Sequence, residues 1–92
     1  MRFEWDERKR QSNIEKHGID FGDLEAFFKG SLLEEDDRRR NYGERRIKAI
    51  GEFKDEILSV VYTLRGDRRR LISARRARTD ERKEYQAKLA AG

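Results

Sequence analysis

The sequence has no cysteine, no proline and only one histidine, His17. Without cysteine the chain forms neither a disulfide nor a thiolate metal site, and it offers no cysteine nucleophile. A single histidine cannot build a histidine-rich metal site. No segment approaches the roughly 20 apolar residues that a membrane-spanning helix needs, and no signal-peptide pattern is present. These absences predict a soluble, cytoplasmic protein with no metal, no cofactor and no membrane contact.

Apolar residues are also scarce, at 35% of the 92 positions, whereas charged residues reach 46%. A chain of this length buries only a small core, so we expect a single domain over residues 1–92 without a large ligand cavity. Disorder is not expected, because the net charge is only +4 and aromatic residues reach 10%.

The positive charge is concentrated in the middle of the chain. Residues 38–79 hold 14 basic and 5 acidic residues, whereas residues 1–37 hold 6 basic and 11 acidic ones. Sixteen of the 23 basic residues are arginine, whose planar fork suits bidentate phosphate contacts. This block indicates a polyanionic partner such as nucleic acid, with a solvated, self-compensated surface as the alternative.

Hydrophobic periodicity and capping residues predict the element order β-α-α-β-β-β-β-α. The predicted strands are 2–5, 31–35, 45–53, 56–64 and 70–77, and the predicted helices are 7–16, 21–28 and one capped by Thr79. Asp6 and Asp20 cap the first two helices, and Gly18 and Gly30 end them. Tight turns between consecutive strands predict an antiparallel sheet, with the N-terminal helices on one face, in an α+β fold.

The segment 56–64 gives the clearest strand pattern. Alternation places Leu58, Val60, Tyr62 and Leu64 on one face, and we expect that face to pack against the helix 21–28. The same alternation on the last strand places Leu71, Ser73 and Arg75 on one face and Arg76 on the other. The acidic run 34–37 and the arginine run 38–40 predict a solvated, charged turn, because they lack the spacing of a calcium loop.

Several single residues allow two interpretations. Arg65, Arg75 and Arg76 lie near strand ends, where they either bind phosphate or solubilise an edge of the sheet. His17 is either a general acid–base group or a partner of the helix dipole at the end of the first helix. Trp5 and Tyr62 either stack on RNA bases or belong to the core.

Short segments spread over residues 3–85 form an ordered pattern. They are Phe3-Glu4-Trp5-Asp6, Asn13, Lys16-His17-Gly18, Phe21, Gly43-Glu44-Arg45-Arg46, Gly51, Val60-Val61-Tyr62-Thr63, Arg65, Ile72-Ser73-Ala74-Arg75, Ala77, Glu81-Arg82 and Tyr85. Together they resemble the BrnT family of bacterial type II toxins. The resemblance implies a RelE-like fold, a ribonuclease activity that stops translation and a BrnA-like antitoxin with a DNA-binding domain. RNA and the ribosome are the further partners that it implies.

Metal-independent RNA cleavage needs a group that activates the 2′-hydroxyl, a group that stabilises the transition state and a group that protonates the leaving oxygen. Under the resemblance we assign Arg65 and Arg75 to phosphate stabilisation and His17 to proton transfer, with Glu44 as a further catalytic candidate. The predicted RNA-binding residues are Lys16, Arg45, Arg46, Tyr62 and Arg76. Because Arg65 and Arg75 lie on adjacent strands, we expect both guanidinium groups to reach one phosphate if their faces agree.

Two other classes of function stay open from the residues alone. A non-catalytic RNA- or DNA-binding module would carry the same basic block and show the same salt-sensitive binding. A pure interaction protein would present the arginine face to an acidic partner. RNA fragmentation in the presence of a chelator separates the toxin from both alternatives.

Overall fold

The computed structural model describes residues 2–39, 41 and 43–92, which form an α+β fold. The strands are β1 (Arg2–Trp5), β2 (Leu33–Asp36), β3 (Ile47–Phe53), β4 (Glu56–Arg65) and β5 (Arg68–Arg76). The α-helices are α1 (Glu7–His17), α2 (Glu25–Lys29) and α3 (Thr79–Ala91), and a 3₁₀ turn spans Phe21–Asp23. The predicted helix 21–28 is therefore two short pieces, and Arg40 of the predicted charged turn lies outside the described residues.

The strands form one sheet in the order β1-β5-β4-β3-β2. Strands β2 to β5 form the predicted antiparallel meander, but β1 pairs with β5 in parallel. The sheet is thus mixed, and the prediction of an antiparallel sheet is wrong at this edge. Parallel pairing needs a long crossover connection, and here the whole segment between β1 and β5 supplies it.

The core lies between the sheet and the segment that contains the 3₁₀ turn and α2. Leu58, Val60 and Tyr62 pack there with Phe21 and Phe27, which confirms the predicted face for these three β4 residues. We call this side of the sheet the core face and the other side the outer face. Leu64, also predicted to face the helix, is 46% exposed because α2 ends before it covers that part of the strand.

Helix α3 packs on the outer face. Tyr85 joins Ile50 and Ala77 in a second, smaller apolar cluster, and its hydroxyl donates a 2.9 Å hydrogen bond to the Ser31 carbonyl. Arg78 rather than Thr79 is the N-cap of this helix. Glu81 therefore occupies the third helical position, where its carboxylate accepts from the Arg78 backbone N–H in a capping box.

A bulge in β5 changes which side chains share a face. Val61 pairs with Ser73 and Tyr62 pairs with Leu71, so Ile72 is an extra residue without a partner on β4. As a result Leu71 lies on the core face, whereas Ser73 and Arg75 lie on the outer face. The strict alternation predicted from the sequence is wrong at this point, because one inserted residue reverses the side of every later residue.

Candidate functional site

A cleft of about 230 Å³ lies between one side of α1 and the outer edge of β5. Its lining residues are Lys9, Ser12, Asn13, Lys16 and His17 from α1, and Ile72 and Ser73 from β5. The α1 residues recur at three- or four-residue intervals on successive turns, so they lie on one side of the helix. The cleft thus brings two lysines and the single histidine of the chain beside two serine hydroxyl groups.

The cleft exists because β1 is shorter than β5. The last pair between these strands is Trp5 with Leu71, so β5 continues without a strand neighbour. There the buried side chain of Asn13, only 6% exposed, replaces a strand neighbour. Its Oδ1 accepts a 3.0 Å hydrogen bond from the Ala74 backbone N–H. The Asn13 amide also donates to the Ile19 carbonyl at 2.9 Å. One buried side chain therefore fixes α1 against the open edge of β5.

The cations of the cleft differ from most others in the chain. The ion pairs of α1 that the structure describes use Arg10, which contacts Glu7 and Asp20. Within residues 2–39, 41 and 43–92, no carboxylate forms an ion pair with Lys9, Lys16 or His17. Because these side chains are at least partly exposed, water solvates them at little cost and they remain available to an anionic ligand.

Arg76, predicted to bind RNA, lies next to this cleft and holds the end of α1. One terminal guanidinium nitrogen donates a 2.8 Å hydrogen bond to the His17 carbonyl, and Nε donates to Glu56 at 2.8 Å. The backbone N–H of Gly18 caps the same helix end by donating to Ile14, with Gly18 at a φ of 69°. The backbone of His17 is therefore fixed from two sides, while its imidazole borders the cleft.

Arg75 lies on the outer face in an ion-pair network with α3. Its two terminal nitrogens donate to the two oxygens of Glu81 at 2.8 and 3.0 Å, and Lys48 donates to the same carboxylate at 3.1 Å. Glu81 is only 2% exposed. Burial opposes ionisation of this carboxyl, but hydrogen bonds from Arg75, the Arg78 N–H and Lys48 outweigh it and lower the pKa of Glu81 to about 2.

Four other predicted residues gather at the opposite end of the sheet. Arg65 lies on the outer face at the β4–β5 turn, with its guanidinium 3.6 Å from Glu44. Glu44 also accepts from Arg46 Nε at 3.4 Å, while Arg45 pairs with Asp36 at 2.8 Å. Glu44 is therefore placed with arginines near the β4–β5 turn, and it is not one of the residues that line the cleft beside His17.

Tyr62 is a core residue in this structure. It is 3% exposed, its hydroxyl donates to Glu34, and its ring packs edge-on against Phe28 with the ring centres 5.4 Å apart. Burial and the Glu34 carboxylate raise the pKa of Tyr62 to about 12. An RNA base could stack on this ring only if the core opened, so the structure provides no stacking surface at Tyr62.

The expected convergence of Arg65 and Arg75 on one phosphate does not occur in this structure. Both side chains lie on the outer face, as that prediction required. However, Arg65 pairs with Arg68 and Arg75 pairs with Ser59, six residues earlier on β4. At about 3.3 Å per residue their backbones are roughly 20 Å apart. The two arginines therefore occupy opposite ends of the strand pair.

Lys9, Ser12 and Ser73 were missed as candidate residues. Lys9 and Ser12 belong to a polar face of α1 that repeats at positions 9, 12, 13, 16 and 17. That helical spacing was available in the sequence. The position of Ser73 was not, because it depends on the bulge at Ile72.

One comparison with known proteins gives a match. A family model described as "Ribonuclease toxin, BrnT, of type II toxin-antitoxin system" matches residues 5–81, which include every residue that lines the cleft. No curated protein matches the chain. Within the described residues, no helix is long and apolar enough to cross a membrane, and no group of three or more histidine or acidic residues is placed to hold a metal ion.

Proposed function

The chain belongs to the BrnT family of ribonuclease toxins of type II toxin–antitoxin systems, and on that premise we propose that the α1–β5 cleft is where it cleaves RNA. The observation that carries the proposal is the convergence of Lys9, Lys16 and His17 at the open edge of β5, where no carboxylate of the described residues pairs with them. The family implies an antitoxin partner. We propose further that this partner is BrnA-like with a DNA-binding domain, and that RNA cleavage in the cytoplasm arrests translation.

The proposed chemistry is an internal transfer at one phosphodiester, without a metal ion. The neutral imidazole of His17 takes the proton of a ribose 2′-hydroxyl, and the 2′-oxygen forms a bond to the adjacent phosphorus. The bond from phosphorus to the 5′-oxygen breaks, and that oxygen takes a proton from the Lys16 ammonium. The products are a 2′,3′-cyclic phosphate and a free 5′-hydroxyl. Lys9 stabilises the negative charge that develops on the phosphate oxygens.

The arginines of the outer face extend the proposed site along the RNA backbone. Arg75 lies two residues after Ser73 on the same face, about 7 Å along the strand. To contact a phosphate, its guanidinium must exchange or share Glu81. Arg65 lies at the far end of the face, where it is half-exposed, and it binds a more distant phosphate with Arg46 beside it. We assign Arg76 to holding His17 and Glu44 to orienting Arg65.

The experiment is cleavage of a short single-stranded RNA by the purified toxin in the presence of EDTA. We expect fragments that end in a 2′,3′-cyclic phosphate, and no cleavage of the DNA of the same sequence, because DNA lacks the 2′-hydroxyl. The substrate with a single 2′-methoxy group at the cleaved position is the matched control and stays intact. RNA binding without any fragments would overturn the proposal in favour of a non-catalytic binding module.

A further inference from the structure

Three aromatic rings surround the guanidinium of Arg69 on the core face, at the end of the sheet that carries the β4–β5 turn. The guanidinium carbon lies 4.1 Å from the ring centre of Phe28, 4.8 Å from that of Tyr62 and 5.8 Å from that of Phe3. Such contacts fix the plane of the guanidinium and hold its charge against apolar surface. Arg69 is thus a rigid cation in an aromatic frame rather than a solvated side chain.

The Nε of Arg69 is buried and has no hydrogen-bond partner. Among the described residues no carboxylate forms an ion pair with Arg69, although its neighbours Arg68 and Arg70 both lie within 4 Å of Glu4. The carboxylate of Glu34 is close by, but it accepts from the Tyr62 hydroxyl. Because that nitrogen is buried, a partner can reach only the other atoms of this half-buried side chain, whose positive charge has no carboxylate partner among the described residues.

Exposed apolar surface lies directly beside this cation. Arg69 pairs with Phe3 on β1 and with Leu64 on β4, so the three side chains form one row across the core face. Leu64 is 46% exposed, and Phe3 and Phe28 are half-buried. We call Phe3, Phe28, Leu64 and Arg69 the Arg69 patch. A preorganised arginine among aromatic and aliphatic side chains is typical of the residues that dominate binding energy in protein interfaces.

We propose that the Arg69 patch is the docking surface for the antitoxin, which supplies a carboxylate to the Arg69 guanidinium and an apolar side chain against Leu64. The inference rests on the antitoxin partnership of the proposed function. Charge complementarity selects the carboxylate, because the half-buried guanidinium of Arg69 has no ion-pair partner among the described residues. RNA fits this surface less well, because a polyanion gains affinity from several phosphate contacts and the row supplies one cation beside apolar groups.

The chain has no cysteine, so a single introduced cysteine can be labelled selectively. A Leu64→Cys toxin carries one thiol at the patch, and a bulky maleimide attached to it covers the patch. A Leu89→Cys toxin is the matched control, because Leu89 lies on α3 with a similar exposure of 43%. Both labelled toxins are titrated with the purified antitoxin of the same operon, and both are assayed for RNA cleavage.

We expect the label at position 64 to weaken antitoxin binding by about 100-fold or more, while the label at position 89 leaves the affinity within about twofold. RNA cleavage stays equal in the two toxins, because Leu64 lies on the face opposite Ser73. Equal antitoxin affinity for both labelled toxins would overturn the inference. Loss of RNA cleavage with intact antitoxin binding would also overturn it, and would assign the patch to RNA.

A second variant removes the dependence on a bulky label. Arg69→Lys keeps the charge but loses the planar fork that stacks on the rings, so we expect about a tenfold or greater loss of antitoxin affinity. The matched variant Arg68→Lys on the outer face leaves the affinity unchanged. If the unmodified toxin does not bind the antitoxin at all, the partnership in the proposed function fails together with this surface. If the unmodified toxin binds the antitoxin and changes at positions 64 and 69 leave the affinity unchanged, the partnership holds and only the proposed docking surface is wrong.

Discussion

Positively charged side chains beside β5 are paired with a carboxylate near α3, which we call the paired flank, and lack a described carboxylate partner in the cleft near α1, which we call the open flank. On the α3 side, Arg75 and Lys48 meet the buried carboxylate of Glu81. On the α1 side, Lys9 and Lys16 share a cleft with the neutral imidazole of His17, and no described carboxylate pairs with these two lysines. The first flank uses cations to hold a helix on the sheet, and the second leaves them open to a ligand. The number of basic residues in a segment therefore does not locate the site that binds an anion.

Burial explains the difference between the flanks. A carboxylate as enclosed as Glu81 stays ionised only if cations and N–H donors surround it, so its partners stabilise the fold and meet RNA only by sharing that carboxylate. The lysines of the cleft are solvated, so their charge needs no carboxylate partner within the chain. Several arginines of the basic block are likewise paired within the chain, with Arg76 on Glu56 and Arg45 on Asp36. The less basic N-terminal part of the chain thus supplies most of the open cleft.

The largest expected effect is on catalysis at the open flank. We expect His17→Ala to slow RNA cleavage by on the order of a hundredfold or more, because it removes the proposed proton acceptor. The fold should persist, because Arg76 holds the backbone carbonyl of His17 rather than its ring. Cleavage rates with circular dichroism as a check on folding measure this. The matched variant Glu15→Ala on the same helix keeps its activity, and full activity of His17→Ala would move proton transfer to another residue.

The next effect is on stability at the paired flank. We expect Glu81→Ala to lower the free energy of unfolding by about 3–5 kcal/mol, because it leaves Arg75 and Lys48 without their shared partner. Glu56→Ala breaks an ion pair whose two side chains are 46% and 56% exposed, and it should cost less than about 1 kcal/mol. Urea unfolding of both variants gives the comparison. Equal costs would show that the two ion pairs do not differ as their burial suggests.

Acid should weaken the paired flank through the same carboxylate. The pKa of Glu81 is about 2 in the folded chain against an ordinary value of 4.5, so the ionised form is favoured by folding. This stabilisation is fully present above pH 4.5 and is lost as the pH falls from there towards 2. Between pH 7 and pH 3 we expect it to decline by about 2 kcal/mol. Urea unfolding at the two pH values should show this loss in the natural chain and a smaller one in Glu81→Gln.

The smallest effect concerns how the open flank holds RNA. Lys9→Gln and Lys16→Gln should each lower the slope of log affinity against log salt by about 0.7, because each removes one phosphate contact to a single strand. Fluorescence anisotropy with a non-cleavable 2′-methoxy RNA over a series of salt concentrations measures the slope. Lys83→Gln on α3 is the control with the same charge change. A slope that falls equally for all three variants would mean that the cleft is not a distinct binding site.

Local signals in the sequence were sufficient to predict the two ends of α1. Asp6 accepts from the N–H groups of Arg8 and Lys9, and Gly18 adopts the left-handed conformation, as their residue types predict. The core face of β4 also followed from alternation alone. The residue types predict Thr79 as the N-cap of α3, whereas the structure has Arg78 there, because the Glu81 carboxylate accepts from the Arg78 backbone N–H.

The candidate site was only partly predictable for a related reason. His17 and Lys16, predicted for proton transfer and RNA binding, both border the α1–β5 cleft, and their roles stay predictions. Arg75 was expected to be open to phosphate, but its carboxylate partner is six residues away on another element. No local pattern signals that pairing. Tyr62 was open to two interpretations, and the contacts of its ring with Phe28 and its hydroxyl with Glu34 favour the core.

The element order, the faces of β4 and the polar stripe along α1 can be read from local sequence, because each depends on residues only a few positions apart. Which charges are paired, where β1 ends along β5 and how the bulge at Ile72 turns Ser73 and Arg75 to the outer face follow only from the folded chain. These outcomes depend on contacts between residues distant in sequence, such as Asn13 with Ala74. A basic side chain stabilises the fold where a carboxylate from a distant part of the chain pairs with it, and it is available to a ligand where none does.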